Sequence, residues 1–275
     1  MNNEELRDKR REFLKTSALV AGGVMLNGVA FANGGAHSSV DDTIKIALIG
    51  CGGRGTGAAF QALSTKQNLK LVAMADAFSD RLESAYKEIS EKFGAKVDVP
   101  QERRFVGFDA YKKAIALADV VLLATPPGFR PSHFEEAVNQ SKHIFMEKPV
   151  AVDSPGIRKV LAAAEIAKTK KLNVVVGLQR RYQNNYRDVI KRIQDGAIGD
   201  ITGGQVYWNS GGVWVKPREA SQTEMEYQMR NWYYFNWLCG DHIVEQHVHN
   251  IDIANWVKNA YPVSVQGTGS RAWRT

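Results

Sequence analysis

Two residues that could move a proton together, Glu245 and His249, stand four positions apart near the C-terminal end of this 275-residue sequence. The apolar residues around them recur at helical spacing, at Val244, Val248 and Ile251. Because residues i and i+4 share one face of a helix, the carboxylate could orient the imidazole and stabilise its charged form. A histidine placed in this way suits proton exchange with a hydroxyl group near neutral pH.

A metal site and a purely structural histidine cluster are the alternative interpretations of this segment. His242, Glu245 and His249 fall at positions i, i+3 and i+7, and His247 lies nearby. This spacing matches neither of the helical zinc motifs, His-Glu-x-x-His and His-x-x-Glu-His. We therefore expect no catalytic metal.

Lys148 is a further candidate, because it follows a predicted strand that ends in Glu147, Lys148 and Pro149. The proline fixes the backbone and removes a donor, so the lysine is held in place rather than extended into solvent. A structural lysine at a strand end is the alternative.

Glycines after the apolar run Ile44–Ile49 predict a phosphate-binding turn between a strand and a helix. In the pattern Gly50-x-Gly52-x-x-Gly55, the first glycine permits the tight turn and the second lets the backbone approach a pyrophosphate. The third lets the helix pack on the strand, and the helix N-terminus offers its N–H groups and dipole to phosphates.

An acidic residue follows at the place where such a turn needs one. The second predicted strand ends at Asp76, twenty-one residues after Gly55. A carboxylate in this position accepts hydrogen bonds from the adenosine ribose. Asp76 would also repel a 2′-phosphate, which favours NAD over NADP.

The elements that must position these residues alternate between strand and helix from Ile44 onwards, which is typical of a parallel sheet with right-handed crossovers. We predict an α/β fold, with a Rossmann dinucleotide-binding domain over residues 44–178 and the start of a C-terminal domain over residues 179–275. In the first domain, Ser79 and Asp109 are expected to cap helices. In the second, we expect a helix from Asn184 to Gln194 and a strand over residues 201–209.

The N-terminal residues are expected to direct export rather than to fold. A Lys9-Arg10-Arg11 cluster precedes an apolar run that ends in the small-x-small site at residues 30–32. Residues 1–32 therefore predict a twin-arginine signal, residues 33–43 a linker, and the protein a periplasmic location. A cytoplasmic N-terminal helix is the alternative. The apolar run is too short and too rich in glycine for a stable membrane span.

Charge and cysteine content limit the partners of this protein. The net charge is +7, but the basic residues are spread through the sequence without interleaved stacking aromatics, so we expect no nucleic acid partner. The two cysteines, Cys51 and Cys239, give no disulfide framework and no zinc spacing.

Taken in order, the glycine pattern, Asp76, Ala124-Thr125-Pro126 and Glu147-Lys148-Pro149 resemble the glucose-fructose oxidoreductase and inositol dehydrogenase family, often called Gfo/Idh/MocA. The resemblance continues through residues 174–182 and 195–200, and so covers the chain from Ile44 onwards. It implies that Lys148 lies beside the nicotinamide and hydrogen-bonds the reacting hydroxyl. It also implies catalytic roles for Glu245 and His249, with an Asp three residues further on, although many relatives carry Asp in place of Glu245.

The family resemblance implies hydride transfer at a secondary hydroxyl of a sugar, glycoside or cyclitol, with a tightly held NAD. An NAD-dependent glycosidase that oxidises C3 transiently is the alternative, and a non-catalytic sugar-binding relative is a third possibility. The resemblance also implies a C-terminal α+β open sheet, here incomplete, through which such proteins form homo-oligomers. Substrate contacts are expected from Arg180, Tyr182 and Trp232. The residues assigned to the cofactor are Gly50, Gly52, Gly53, Arg54, Gly55, Asp76, Arg81, Thr125, Pro126, His133, Glu147 and Lys148.

Overall fold

Six parallel strands form the central sheet of the computed structural model, which describes residues 43–270. The strand order is β3-β2-β1-β4-β5-β6, so the chain reverses its direction of travel across the sheet after β3. The export signal predicted for residues 1–32 lies outside the described residues, as does most of the predicted linker. The strands are β1 Ile44–Ile49, β2 Leu69–Asp76, β3 Arg104–Val106, β4 Val120–Leu123, β5 His143–Met146 and β6 Val174–Val176.

The central strands are apolar along their whole length because helices cover both faces of the sheet. Successive residues of a strand point to opposite faces. In β1, Ile46 and Leu48 accordingly join one buried cluster, while Ala47 and Ile49 join a second. All four side chains are almost completely buried.

Helices connect the strands and confirm the predicted alternation. The predicted cap at Ser79 is wrong, because Ser79 is the first helical residue and Phe78 occupies the cap position. Asp109 occupies the cap position as predicted, but its side chain makes no capping hydrogen bond and its carboxylate pairs with Lys112 at 2.8 Å. The helices of this part are α1 Gly53–Leu63, α2 Ser79–Phe93, α3 Ala110–Ala116, α4 Arg130–Asn139 and α5 Ser154–Thr169.

The C-terminal part of the described chain is mostly helical and irregular. The helix predicted for Asn184–Gln194 is confirmed, but the strand predicted for residues 201–209 is wrong, because residues 201–219 contain neither helix nor strand. A strand needs a hydrogen-bonded neighbour, and the described residues offer none here. The elements are α6 Asn184–Gln194, α7 Glu224–Arg230, α8 Asn236–Cys239, a π-helical turn Ile243–His247 and α9 Val248–Lys258.

Side-chain and backbone contacts attach this part to the sheet. Two nitrogens of Arg181 donate hydrogen bonds to the carboxylate of Asp252 at 2.8–3.0 Å, which links the turn after β6 to α9. At Gly128 a Cβ atom would lie 2.3 Å from the carbonyl oxygen of Trp237, so α8 packs directly on the turn after β4. No helix within residues 43–270 is long and apolar enough to span a bilayer.

Candidate functional site: a nucleotide cavity beside a Lys-Glu-His cluster

The glycine turn after β1 has the geometry that its spacing predicts. Gly50 has a φ of +93°, and a Cβ atom there would lie 2.6 Å from the backbone of Ala124. A Cβ atom at Gly55 would lie 1.8 Å from the carbonyl oxygen of Gly50. At Gly52, by contrast, none of the described residues beyond its chain neighbours comes within 4 Å of a Cβ position. The outer glycines therefore serve packing, while the middle one leaves open the space that a pyrophosphate needs.

A cavity of about 470 Å³ lies over this turn, at the carboxyl ends of β1, β2 and β4. It is the place where open parallel sheets bind dinucleotides. Ten of the twelve residues assigned to the cofactor from the sequence line it. They are Gly50, Gly52, Gly53, Arg54, Gly55, Asp76, Arg81, Thr125, Pro126 and His133.

Asp76 lies in the wall of this cavity, at the end of β2, where the sequence places the ribose carboxylate. Its oxygens accept hydrogen bonds from the backbone N–H groups of Cys51, at 2.7 Å, and Phe78, at 2.9 Å. These bonds fix the carboxylate against the glycine turn. Burial raises the pKa of Asp76, and the two backbone bonds oppose that rise.

Glu147 does not line the cavity, and its carboxylate contacts other described residues of the protein. Arg54, at the start of α1, donates its Nε to Glu147 Oε1 at 2.6 Å. Gly177 faces the same carboxylate, since a Cβ atom there would lie 2.6 Å from Glu147 Oε2. The pair ties the helix of the glycine turn to the end of β5, so Arg54 both lines the cavity and braces it.

His133 is a buried, neutral residue of the cavity wall. Its Nδ1 lies 3.1 Å from Thr125 Oγ1, and its ring packs against Tyr111 at an angle of 31°, with 4.1 Å between ring centroids. Burial, with a smaller effect from Arg130, lowers the pKa of His133 to about 3. It can therefore present a hydrogen bond to a ligand without adding charge.

Arg130, which the sequence analysis missed, is completely buried beside this wall. It donates to the carbonyl oxygens of Leu123 and Thr125, and so holds the end of β4 to the start of α4. Burial lowers its pKa to about 10, while the negative charges of Glu147 and Glu245 oppose the shift. In the sequence, only its position shortly after Thr125 and Pro126 could have indicated a role for Arg130 near the cavity.

Lys148 and Glu245 form a buried ion pair between residues that are 97 positions apart. Lys148 Nζ donates to Glu245 Oε1 at 2.8 Å and to the backbone carbonyl of Glu245. The side chains are only 14% and 8% exposed, so both charges depend on this contact. Burial raises the pKa of Glu245, and Lys148 opposes that rise.

The predicted contact between Glu245 and His249 is wrong. Within the described residues, Glu245 Oε2 and His249 Nδ1 are both buried without a hydrogen-bond partner. The π-helical turn Ile243–His247 explains the difference, because its i→i+5 bonds change the alignment that an α-helix gives to residues four apart. The carboxylate serves Lys148 instead.

His249 is neutral rather than charged, contrary to the expectation that Glu245 stabilises its protonated form. Burial, together with smaller effects of the positive charges of Lys148 and Arg180, lowers the pKa of His249 to about 4. Its ring stacks on Trp208, with 5.9 Å between centroids. The imidazole is therefore unprotonated at pH 7, which leaves a ring nitrogen available to accept a proton.

The three residues predicted to contact substrate lie in different surroundings. Arg180 donates to the side chain of Asn250, next to His249. Tyr182 is 62% exposed, and Trp232 lies in the wall of the nucleotide cavity. Among residues 43–270, no three His, Cys, Asp or Glu side chains are grouped so as to hold a metal ion.

The six-stranded parallel sheet, the glycine turn after β1 and the carboxylate at the end of β2 define a Rossmann-type dinucleotide-binding domain. Residues 44–178 match the sequence model of the Gfo/Idh/MocA family, described as an oxidoreductase family with an NAD-binding Rossmann fold. The Rossmann domain, residues 44–178, belongs to this family of oxidoreductases.

Curated relatives agree with this assignment, and a solved structure shares the fold. An inositol 2-dehydrogenase of Rhizobium meliloti (strain 1021) is 27% identical over 228 residues, which are 83% of this chain and 59% of that protein. A glycosyl hydrolase family 109 protein of Streptomyces coelicolor is 27% identical over 180 residues, 64% of this chain and 35% of that protein.

The structure of scyllo-inositol dehydrogenase from Lactobacillus casei, with bound NAD(H) and scyllo-inositol, shares the fold with a TM-score of 0.56 at 24% identity. The match covers 78% of this chain and 56% of that one. The chain therefore spans little more than half the length of such relatives.

Proposed function

We propose that this protein is an NAD-dependent oxidoreductase that oxidises a secondary hydroxyl of a sugar, glycoside or cyclitol. The main support is the buried Lys148–Glu245 pair, whose ammonium group acts electrostatically on His249, at the end of the strand next to the cavity strand β4. β4 and β5 are parallel neighbours, so Lys148 leaves the sheet at the same edge as the cavity residues Thr125 and Pro126. The inositol dehydrogenase relatives supply the substrate class.

In this proposal NAD, when bound, supplies the hydride acceptor. His249, neutral because of its burial, takes the proton of the substrate hydroxyl. Lys148 donates a hydrogen bond to the same oxygen and stabilises the negative charge that develops there. Glu245 keeps the ammonium group of Lys148 in place, which differs from its predicted role as the partner of His249.

The preference for NAD over NADP is part of the proposal and rests on Asp76. Its carboxylate is fixed in the cavity wall, where it would repel a 2′-phosphate. Arg81 lines the same cavity, so the Asp76→Ser variant should gain affinity for NADPH relative to NADH. Equilibrium titrations with the two reduced cofactors measure this ratio.

Hydride transfer is tested by following the absorbance of reduced nicotinamide while the full-length protein is mixed with NAD and a panel of cyclitols and glycosides. Lys148→Met should lower the rate by a factor on the order of 10² to 10⁴. Lys159→Met, which removes an exposed lysine paired with Glu135, should leave the rate unchanged. A wild-type protein that binds NAD but oxidises no member of the panel would contradict the proposal.

An NAD-dependent glycosidase is the second candidate, and the glycosyl hydrolase family 109 relative favours it. Transient oxidation at C3 would acidify the C2 proton, elimination would expel the aglycone, and water addition and re-reduction would return the cofactor. Both activities use the same residues. Product analysis separates them, since a keto-sugar indicates the dehydrogenase and a free reducing sugar indicates the glycosidase.

Export and cofactor retention form a linked proposal. Twin-arginine export moves folded proteins, so NAD would enter in the cytoplasm and stay bound outside it. Protein purified without added nucleotide and then denatured should release close to one NAD per chain. In cells, changing Arg10 and Arg11 to Lys should keep the protein in the cytoplasm.

Association of copies of this protein through a C-terminal sheet is a separate proposal. Light scattering of the full-length protein measures the mass of the assembly.

A further inference from the structure

The C-terminal part of the chain supplies one wall of the nucleotide cavity. Five of its residues line the cavity, namely Trp214, Lys216, Met229, Arg230 and Trp232. Two are aromatic and two are cationic. The indole rings of Trp214 and Trp232 lie 6.1 Å apart at an angle of 60°. None of the dinucleotide-binding motifs in the sequence predicts this wall.

The wall is held in shape although residues 213–216 form neither helix nor strand. Asn231 is buried, and its side chain accepts a hydrogen bond from the Lys216 N–H at 2.8 Å and donates to the Lys216 carbonyl at 3.1 Å. The hydroxyl of Tyr234 donates to the Val213 carbonyl at 2.8 Å. The Asn231 side chain thus makes the backbone hydrogen bonds that a neighbouring strand would otherwise supply.

An ion pair connects the wall to the start of α2, the helix that follows β2. Arg230 donates to both carboxylate oxygens of Asp80, at 3.0 and 3.2 Å, across 150 residues of sequence. Its guanidinium also lies 4.2 Å from the ring centroid of Phe78. Asp80 stands in the first turn of α2, four residues after Asp76, so the fastening lies at the ribose end of the cavity.

We propose that this wall, residues 213–216 and 229–232, binds the adenosine half of the dinucleotide and slows its release. Indole rings offer the flat apolar surface on which a purine stacks. Lys216 adds a positive charge beside a ligand that carries two phosphates. The Arg230–Asp80 pair holds the wall closed over the ligand. The inference rests on the NAD binding proposed above, and it names the residues that retain the cofactor.

The test is the dissociation rate of NADH from the full-length protein, measured by fluorescence after mixing with excess NAD. Trp232→Leu should speed release on the order of tenfold, and Trp232→Phe by less, because an aromatic surface remains. Arg230→Gln and Asp80→Asn should each speed release about 3- to 5-fold. The double variant should release NADH no faster than Arg230→Gln alone, because the contact with Asp80 is already lost in that variant.

Arg218→Gln is the matched control, because it breaks an exposed ion pair with Glu224 in the same part of the chain without touching the cavity. It should leave the release rate unchanged. The proposed role of the wall would be overturned if Trp232→Leu and Arg230→Gln kept the wild-type unfolding temperature and released NADH at the wild-type rate. The proposed function would then remain intact. A folded wild type that binds no NADH would overturn both.

Discussion

The two parts of the described chain build their share of the site in different ways. In residues 44–178, backbone geometry does most of the positioning: strand ends, a glycine turn and helix starts meet at one edge of a sheet. In residues 179–270, contacts between distant side chains take over, as in Lys148–Glu245 and Arg230–Asp80. Substitutions that add atoms should therefore disrupt the site in residues 44–178. In residues 179–270, substitutions that remove one partner of a side-chain contact should disrupt it.

Gly55→Ala should be the most damaging change, because the new Cβ atom would lie 1.8 Å from the carbonyl oxygen of Gly50. We expect a loss of about 3 kcal/mol of stability or more, and loss of NADH binding. Gly52→Ala is the matched variant with space for a methyl group. It should unfold at the wild-type temperature and still bind NADH poorly. Equal unfolding temperatures for the two variants would contradict the packing argument.

Lys148→Met should be next, because it leaves the buried carboxylate of Glu245 without its partner. Removing one member of a buried pair costs about 3–5 kcal/mol. The double variant Lys148→Met/Glu245→Leu should regain much of this stability but none of the activity. Denaturant unfolding and turnover, measured on the same samples, separate the two effects. A single variant as stable as the wild type would show that the pair is dispensable for the fold.

Lowering the pH should reduce the stability of residues 44–178, because His133 is buried in its neutral form. Its folded pKa is lowered to about 3, below the unfolded value, so the unfolded chain binds the proton first. The stabilising contribution is complete above pH ~6.5 and is lost as the pH falls towards 3, by at most about 1.4 kcal/mol per pH unit. His133→Phe keeps a ring against Tyr111 and should flatten this slope. Equal slopes in chemical unfolding of both proteins would contradict a neutral buried His133.

Arg181→Gln should have the smallest of these effects, about 1 kcal/mol, because the Arg181–Asp252 pair is partly exposed. It should loosen α9 and the His249 that α9 carries, so hydrogen exchange should rise there and not in β1 or β2. Lys191→Gln, in an exposed helical pair with Asp195, is the control. Faster exchange throughout the sheet would show that the two parts do not respond separately.

The same contrast explains what the sequence could and could not predict. The glycine turn, Asp76 and the strand and helix series depend on residues close together in the sequence, and the structure has them in the predicted places. The Lys148–Glu245 pair joins residues 97 positions apart, and no local pattern indicates such a contact.

The errors also have physical causes. A π-helical turn differs from an α-helix by one residue in its bonding, which the apolar spacing around Glu245 does not reveal. The β-prone residues 201–209 carried no information about whether a neighbouring strand would be present to pair with them. Arg130 escaped notice because a buried arginine depends on backbone carbonyls that only the fold brings together.

Isotope transfer from substrate to cofactor would show the proposed hydride transfer itself. The full-length protein is incubated with NAD and a panel of cyclitols and glycosides deuterated at their secondary carbinol carbons, and the reduced nicotinamide is analysed by mass spectrometry. We expect deuterium on the cofactor with at least one substrate, and a rate of transfer lower by a factor on the order of 10² to 10⁴ in Lys148→Met. A protein that binds NADH yet transfers no deuterium from any of them would contradict it.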